Sequence, residues 1–479
     1  MKYKSNFRKG IDMKRIIAFI IAAIMVFAFC ACGQTASEEF SLDFNAGMDD
    51  SKTNFDGYEC VIMQNHMAET ADTSLFSYPS GTLLEDLLLQ RIKDIENEYN
   101  CKVKVKTDGT VRIDSIVPVL ASGSYVADIL FTSGPSTFIR AGFMYPLDVL
   151  SDYIDYTNTD KYGGLGLLEQ GLYNSTPYCV TPAMWPGKQT TTSFGVFAVN
   201  ENLITRYGLT DPRDIVESGE WTWETFERII PDYQIDDGSV QATACNMTWS
   251  IMDFAMMNGA DYYTITTDGT VLPALDSEYI AEAIDWCSRL FTEHKDCITF
   301  LDHGGMLDLF LNDGIVMTKT AVDHIIRFMS YKMDNFGVVP MPCGPHGTYG
   351  KWVNAYNENI AFSILYNTNE PVCSAVVIDE LCEPFRGYET EEDLKAYMRS
   401  IFFEDRDIDF IMNYFENARW NYWGHASLET FFNNAKTAAI SGKSATEFLS
   451  ANAERINNLV VENIVPNVDF LESFKNNSK

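Results

Sequence analysis

The sequence lacks the residue spacings through which catalytic and metal chemistry are usually read. Its six histidines are scattered, with no HxxxH or HExxH, so no helix offers the paired imidazoles of a zinc site. Beyond the first 32 residues there are nine cysteines (Cys60, Cys101, Cys179, Cys245, Cys287, Cys297, Cys343, Cys373 and Cys382), none in CxxC spacing. Nine cannot all pair internally, and Cys287 and Cys373 fall within apolar helical patterns, where a thiol behaves as a small hydrophobe. That argues against a zinc centre and a disulfide framework, and fits an oxygen-poor habitat. No GxSxG occurs, so the nucleophile elbow of a hydrolase is missing. Basic residues are also scarce: 35 Lys and Arg face 67 Asp and Glu, a net charge of −32. Such a surface repels nucleic acid and anionic polymers and favours a neutral or cationic ligand, although most of the charge serves solubility.

Long apolar runs are few as well. The one conspicuous run, Ile16 to Phe29, is 14 residues, against the roughly 20 of a spanning helix. Lys2, Lys4, Arg8, Lys9, Lys14 and Arg15 precede it, which is the layout of a signal peptide. Phe29-Cys-Ala-Cys-Gly33 follows at once and resembles the bacterial lipobox, which implies cleavage before Cys32 and a lipid on that cysteine. Met13 would serve equally well as a start. Removing residues 1–31 leaves 29 basic against 66 acidic residues, a net charge of −37. Residues 32–56 are polar and acidic without periodicity and read as a flexible tether.

About 420 residues remain, with 46% hydrophobic and 13% aromatic content in the chain as a whole, too many for one ordinary core. Tyr58 to Gln64 reads as a buried strand. Thr82 and Glu85 form a capping box for a helix with Leu84, Leu88, Ile92, Ile95 and Tyr99 on one face. Lys102 to Lys106 alternates as a half-exposed strand, and Ile113, Ile116, Val117 and Leu120 mark a second helix that ends at Gly123. A strand over Ala127 to Phe131 follows. Strand and helix in alternation predict an α/β fold with a mainly parallel sheet, whose ligands sit beyond the strands' carboxyl ends. Trp223, Phe226 and Ile230 form one helical face behind an N-cap at Thr222, with Glu224 at the positive end of the helix dipole, so this tryptophan is read as core.

From about residue 58 to 465 the chain resembles the bacterial extracellular solute-binding proteins of family 1, the maltose-binding type that serves ABC importers. The markers are Gly123 to Leu147 (GSYVADILFTSGPSTFIRAGFMYPL), Phe197-Ala-Val-Asn200 with Glu220-Trp-Thr-Trp-Glu-Thr-Phe226, Phe310 to Thr318 with Phe336 to Pro342, and Asn434 to Gly442 ahead of Ser444-Ala-Thr-Glu447, in the family's order. The resemblance implies a two-lobed, type II periplasmic-binding-protein-like fold. Each lobe is then a mainly parallel sheet flanked by helices, and crossover segments near 178–183, 353–359 and 411–417 form the hinge. Lobe 1 would span 57–180 with 359–412, and lobe 2 would span 181–358 with 413–475.

The same template implies a ligand cleft lined by Asn65, His66, Thr132, Ser133, Ser136, Trp185, Asp323, His324, Trp352, Tyr356, Trp420, Trp423, Phe432 and Lys436. Aromatic rings suit the apolar faces of sugars, and the polar groups suit their hydroxyls. Trp185 divides evenly between stacking and packing, and Phe432 has a core reading beside the cleft one. Asp323 stands where the family often has tryptophan, which weakens a maltose-like ligand and suits an amino or basic substituent. Asp128 is read as structural. The implied activity is capture of a mono- or oligosaccharide, without catalysis, cofactor or metal, by a lipid-anchored monomer on the face of a Gram-positive membrane that delivers to permease subunits. A polyamine, amino-acid or metal receptor, an extracellular carbohydrate-active enzyme and a receptor for a sensor kinase are the alternatives.

Overall fold

A computed structural model describes residues 54–477 apart from 65–74, 77, 79, 107–112, 133, 188–194, 236–237, 246, 302, 323–324, 326–328, 331, 334, 357–359, 415–417 and 421–425. Cys32 and the tether up to residue 53 therefore lie outside the described residues.

The chain opens with β1 (Tyr58–Gln64), α1 (Leu83–Tyr99), β2 (Cys101–Lys106), α2 (Ile113–Ala121), β3 (Ile129–Thr132) and α3 (Pro135–Arg140). As predicted, β1 pairs in parallel with β2 on one side and β3 on the other. Thr82 caps α1 by accepting from the Glu85 N–H, and Glu85 reaches back to the Gly81 N–H at 2.6 Å, one residue earlier than in a reciprocal box. Leu84, Leu88, Ile92 and Ile95 are its buried face. After the short helix α4 (Leu165–Glu169) and the hairpin β4 (Leu172–Tyr173) and β5 (Thr176–Pro177), the chain enters a second sheet.

That sheet is built from β6 (Val196–Asn200), β7 (Gln241–Cys245), β8 (Ile298–Phe300), β9 (Ile315–Thr320) and β10 (Phe336–Pro340). The strand order is β8-β7-β9-β6-β10, with β6 antiparallel to both neighbours and the other four pointing one way. Its helices include α5 (Pro212–Glu217), α6 (Trp223–Tyr233), α7 (Met247–Met257) and α8 (Glu278–Glu293). Trp221 and Trp223 are both core residues: the Trp221 indole N–H donates to the Pro340 carbonyl at 2.8 Å, and Trp223 stacks on Trp286 with centroids 4.5 Å apart.

The chain then passes through β11 (Asn354–Tyr356) and returns to the first sheet as β12 (Ala361–Ile364), antiparallel to β3. Helix α9 (Pro371–Leu381) packs on β1, β12 and α1. Side chains alternate across a strand, so Cys60 faces α9 while Val61 faces the cluster that holds Ile116 and Leu120 of α2 and Phe138 of α3. The sheet is thus covered on both sides, as parallel sheets require.

Helix α10 (Asp405–Tyr414) falls mostly in the segment expected of lobe 1, yet it packs on β10, and Met398, Ile401, Phe402, Ile408 and Ile411 share the second sheet's core. Asp407 explains this placement. Its carboxylate accepts the Val338 N–H at 2.8 Å and binds the Arg213 guanidinium at 3.1 Å. Arg213 lies so close over Gly337 that a Cβ there would collide with it. Burial, opposed by Arg213 and the Val338 N–H, pushes the Asp407 carboxyl up to about 6.

The chain continues through β13 (Ala418–Trp420), α11 (Ala426–Ile440), α12 (Ala445–Asn463) and α13 (Val465–Asn477). Strands β11 and β13 pair in parallel, with β11 against α7 and β13 against α4. The start of α13 is fastened to the β4–β5 hairpin, where Asn467 accepts from the Ser175 N–H at 2.9 Å. The nine described cysteines are free thiols, eight of them buried and Cys297 half-buried. No described helix is long and apolar enough to cross a membrane.

Asp128 ties the first sheet together. Fully buried, it accepts from the Val61 N–H at 2.8 Å and from the hydroxyls of Tyr58, Tyr125 and Thr368 at 2.7 to 2.8 Å. Asn would present an amide N–H₂ to donors that need an acceptor, leaving at least one buried donor unpaired. Asp128→Asn is expected to cost about 3 kcal/mol, seen as a lower urea midpoint with an unchanged slope.

Candidate functional site

The two sheets each gather strand ends along one edge. In the first, β1 ends at Gln64 and β3 at Thr132, both buried, and the Gln64 side-chain oxygen accepts the Phe76 N–H at 2.8 Å. Beyond Thr132 the backbone turns at Gly134, with φ at +84°, and Pro135 starts α3. Only glycine adopts that left-handed conformation without cost, so the turn that brings Ser136 next to the edge is set by Gly134 and Pro135.

In the second sheet, β7, β8, β9 and β10 end at Cys245, Phe300, Thr320 and Pro340. Here lies a buried ion pair, Lys319 Nζ to Asp253 Oδ2 at 2.6 Å, both side chains at most 3% exposed. Burial raises the Asp253 carboxyl against the pull of Lys319, and burial likewise pushes the neighbouring Cys245 thiol up to about 11, with Ser250 and Lys319 opposing. The hydroxyls of Thr318 and Thr320, flanking Lys319, are buried without a hydrogen-bond partner among the described residues. Lys319 and Asp253 are thus enclosed at this strand end, and Thr318 and Thr320 alternate to the opposite face of β9.

The predicted cleft residues fall into three groups. Asn65, His66, Ser133, Asp323, His324 and Trp423 lie outside the described residues. Tyr356 and Trp420, distant in sequence, are brought together as register partners of β11 and β13. The remainder are placed individually. Thr132 ends β3 and Ser136 lies in the first turn of α3, both buried. Trp185 is a correction: it is fully buried, stacked on Phe385 at 5.5 Å and surrounded by Phe76, Phe131 and Phe362, and its indole N–H donates to the Leu381 carbonyl at 2.9 Å. An indole satisfied on every side is a packing residue. Phe432 is also core, 1% exposed and edge-on to Phe431, so its core reading is the one the structure supports. Trp352 is buried against the Tyr349 ring at 5.0 Å, while Lys436 on α11 is partly exposed.

Sequence reading passed over Lys319, Asp253 and Gln64. A signal existed for Lys319, a lone charge inside the strand IVMTKT, where burial demands a partner. Its partner Asp253 lies 66 positions upstream, so spacing could not supply it.

No family model and no curated protein matches the sequence. Solved structures do. A cyclic α-maltosyl-1,6-maltose binding protein from Arthrobacter globiformis superposes with a TM-score of 0.59 at 14% identity, over 85% of this chain and 99% of its own. The chain has the two-lobed α/β fold of the extracellular solute-binding proteins. An ABC substrate-binding protein of Listeria monocytogenes in complex with cycloalternan gives 0.56 at 14%, over 85% and 99%. UgpB from Mycobacterium tuberculosis in complex with glycerophosphocholine gives 0.53 at 14%, over 79% and 95%. The same solute-binding fold thus holds sugars in some proteins and a charged phosphodiester in another.

Breaking a buried pair strands the surviving charge. Lys319→Met is expected to cost about 3–5 kcal/mol at neutral pH. With its partner gone, Asp253 binds a proton more tightly folded than unfolded, so the deficit should grow as pH rises above about 4, the unfolded carboxyl value. Urea unfolding of the variant at pH 4.5 and pH 8, with Lys319→Met/Asp253→Asn recovering most of the loss, checks this.

Proposed function

We propose that the protein captures a small solute, a mono- or oligosaccharide, between its two sheet-built halves and delivers it to the permease of an ABC importer. The observation that carries this reading is the path of the chain. It leaves the first sheet, builds the second, returns as β12, and crosses again so that β11 and β13 pair side by side. Paired connecting strands allow two rigid bodies to rotate about a shared line, the geometry of hinge closure around a ligand. Structural neighbours that hold maltose, β-1,6-galactobiose and tagatose support a carbohydrate ligand. In this reading the lobes follow the boundaries given above except that α10 belongs with lobe 2. The loops carrying Asn65, His66, Ser133, Asp323, His324 and Trp423 line the cleft with Thr132, Ser136, Trp352, Tyr356, Trp420 and Lys436. No bond is made or broken.

The acidic surface favours a second reading, in which Asp323 receives a cationic substituent such as an amine. Thermal unfolding of the protein beginning at Gly33, against a panel of sugars, polyamines and amino acids, separates the two. A cognate sugar at 100 times its dissociation constant should add about 2.7 kcal/mol, and Trp423→Ala should remove that gain while leaving the unliganded midpoint nearly unchanged. A response to spermidine and to no sugar selects the cationic reading, and turnover of a glycan would refute both.

Cys32 completes the proposal as a lipid anchor on the extracytoplasmic face of the membrane. A tether of about 25 residues keeps the receptor at high local concentration beside its permease. Cys32→Ser should abolish incorporation of labelled palmitate and release the protein into the medium.

A further inference from the structure

The C-terminal helices link the two halves of the molecule by contact alone. Ile456 and Val460 of α12, with Ile464 and Val468 after it, belong to the second sheet's core, and α12 packs on α8 and α11. Helix α13 then runs onto α4 and β4, which belong to the first half. The β4–β5 hairpin is anchored in that half, with the Leu147 N–H donating to the Pro177 carbonyl at 2.8 Å and Val180 exchanging hydrogen bonds with Phe362 of β12 at 2.8 and 3.0 Å. Helix α4 also carries the crossover strand β13, so the C-terminal contact lies beside the connecting segments.

The contact is locked at the corner between α12 and α13. Asn467, 1% exposed, accepts the Ser175 N–H on its side-chain oxygen at 2.9 Å, and its amide nitrogen reaches the carbonyls of Leu172 and Asn463, each at 3.5 Å. The Ser175 hydroxyl donates in turn to the Pro466 carbonyl. The surroundings are closely packed: α3, the hairpin and Asn463 leave between them a space of only about 10 Å³, room for one water.

The hairpin adopts a strained shape to make this contact. A two-residue turn of this kind requires positive φ at both central positions, which asparagine followed by glycine supplies best. Here Asn174 and Ser175 take them, at +50° and +62°. Serine in the left-handed region carries a steric cost that glycine would not, but glycine would lack the hydroxyl that reaches Pro466. The buried amide of Asn467 and this turn together resist any movement that separates α13 from the hairpin. Rotation of the second half about the paired strands β11 and β13 has to carry α12 and α13 with it, because Val460 and Val468 are set in that half's core. We propose that the α12–α13 corner is a strap, locked by Asn467 and Ser175, that limits how far the two halves turn about the hinge. The strap presupposes the hinge read above, but not any particular solute.

The test is single-molecule energy transfer between dyes on azido side chains introduced at Lys104 in the first half and Lys295 in the second, both exposed, in the protein beginning at Gly33. Asn467→Ala is expected to displace or broaden the distribution of transfer efficiencies with no solute present, whereas a loss of packing alone would lower the thermal midpoint and leave the distance between the halves as it was. A distribution that superposes on that of the parent protein overturns the proposal. Should Asn467→Ala fold poorly, Ser175→Gly, which relaxes the turn while removing the hydroxyl tie, carries the same comparison with the same two outcomes. The solute panel separates the strap from capture. A solute that moves the parent's distribution, while Asn467→Ala leaves the unliganded one unchanged, supports capture and overturns the strap. A displaced Asn467→Ala distribution in a protein that answers to no solute supports the strap and overturns capture.

Discussion

Parallel strand pairing is the constraint from which the rest of this molecule follows. Two parallel neighbours cannot be joined by a tight turn and need a crossover, here a helix, that covers one face of the sheet. Applied to β1, β2 and β3, the rule buries both faces of the sheet and collects Gln64 and Thr132 at one edge. Applied to β7, β8 and β9, it collects Cys245, Phe300 and Thr320. A site assembled beyond those strand ends leaves the cores undisturbed. Strand direction thus decides where polar chemistry can sit before any particular side chain does.

Both halves bury charge, but they satisfy it differently. Asp128 needs no cation, because a backbone N–H and three hydroxyls supply the donors. Asp407 and Asp253 each have a cation, Arg213 or Lys319, and each binds one strand or helix to another that is distant in sequence. The first arrangement stays within one sheet, joining β1, the approach to β3 and Thr368 beyond β12. The other two fix the position of whole elements, which is why α10 lies on β10.

What could be read from the sequence was whatever depends on neighbours in sequence. The face of α1, the cap at Thr222 and the turn at Gly123 follow from residues three or four apart, and they are found where spacing predicted. Trp185 shows the opposite case. Its partners Phe76, Phe362 and Phe385 lie from about 110 residues upstream to 200 downstream, and nothing local distinguishes a tryptophan in such a cluster from one facing a ligand. The same holds for Asp253 opposite Lys319 and for α10, whose amphipathic pattern shows that it packs without showing on what. The Thr222 to Phe226 segment was legible as core, yet the stacking of Trp223 on Trp286 was not, because it depends on which side chains the tertiary structure brings near.

The buried cysteines have a practical consequence. Eight thiols lie inside packed interiors as small apolar groups, and Cys297, at the approach to β8, is partly accessible. A maleimide reagent on the native protein would therefore report on one position among the nine. That position sits directly before a strand of the second sheet, giving a ready-made attachment point for a fluorophore or spin label to follow movement of that half.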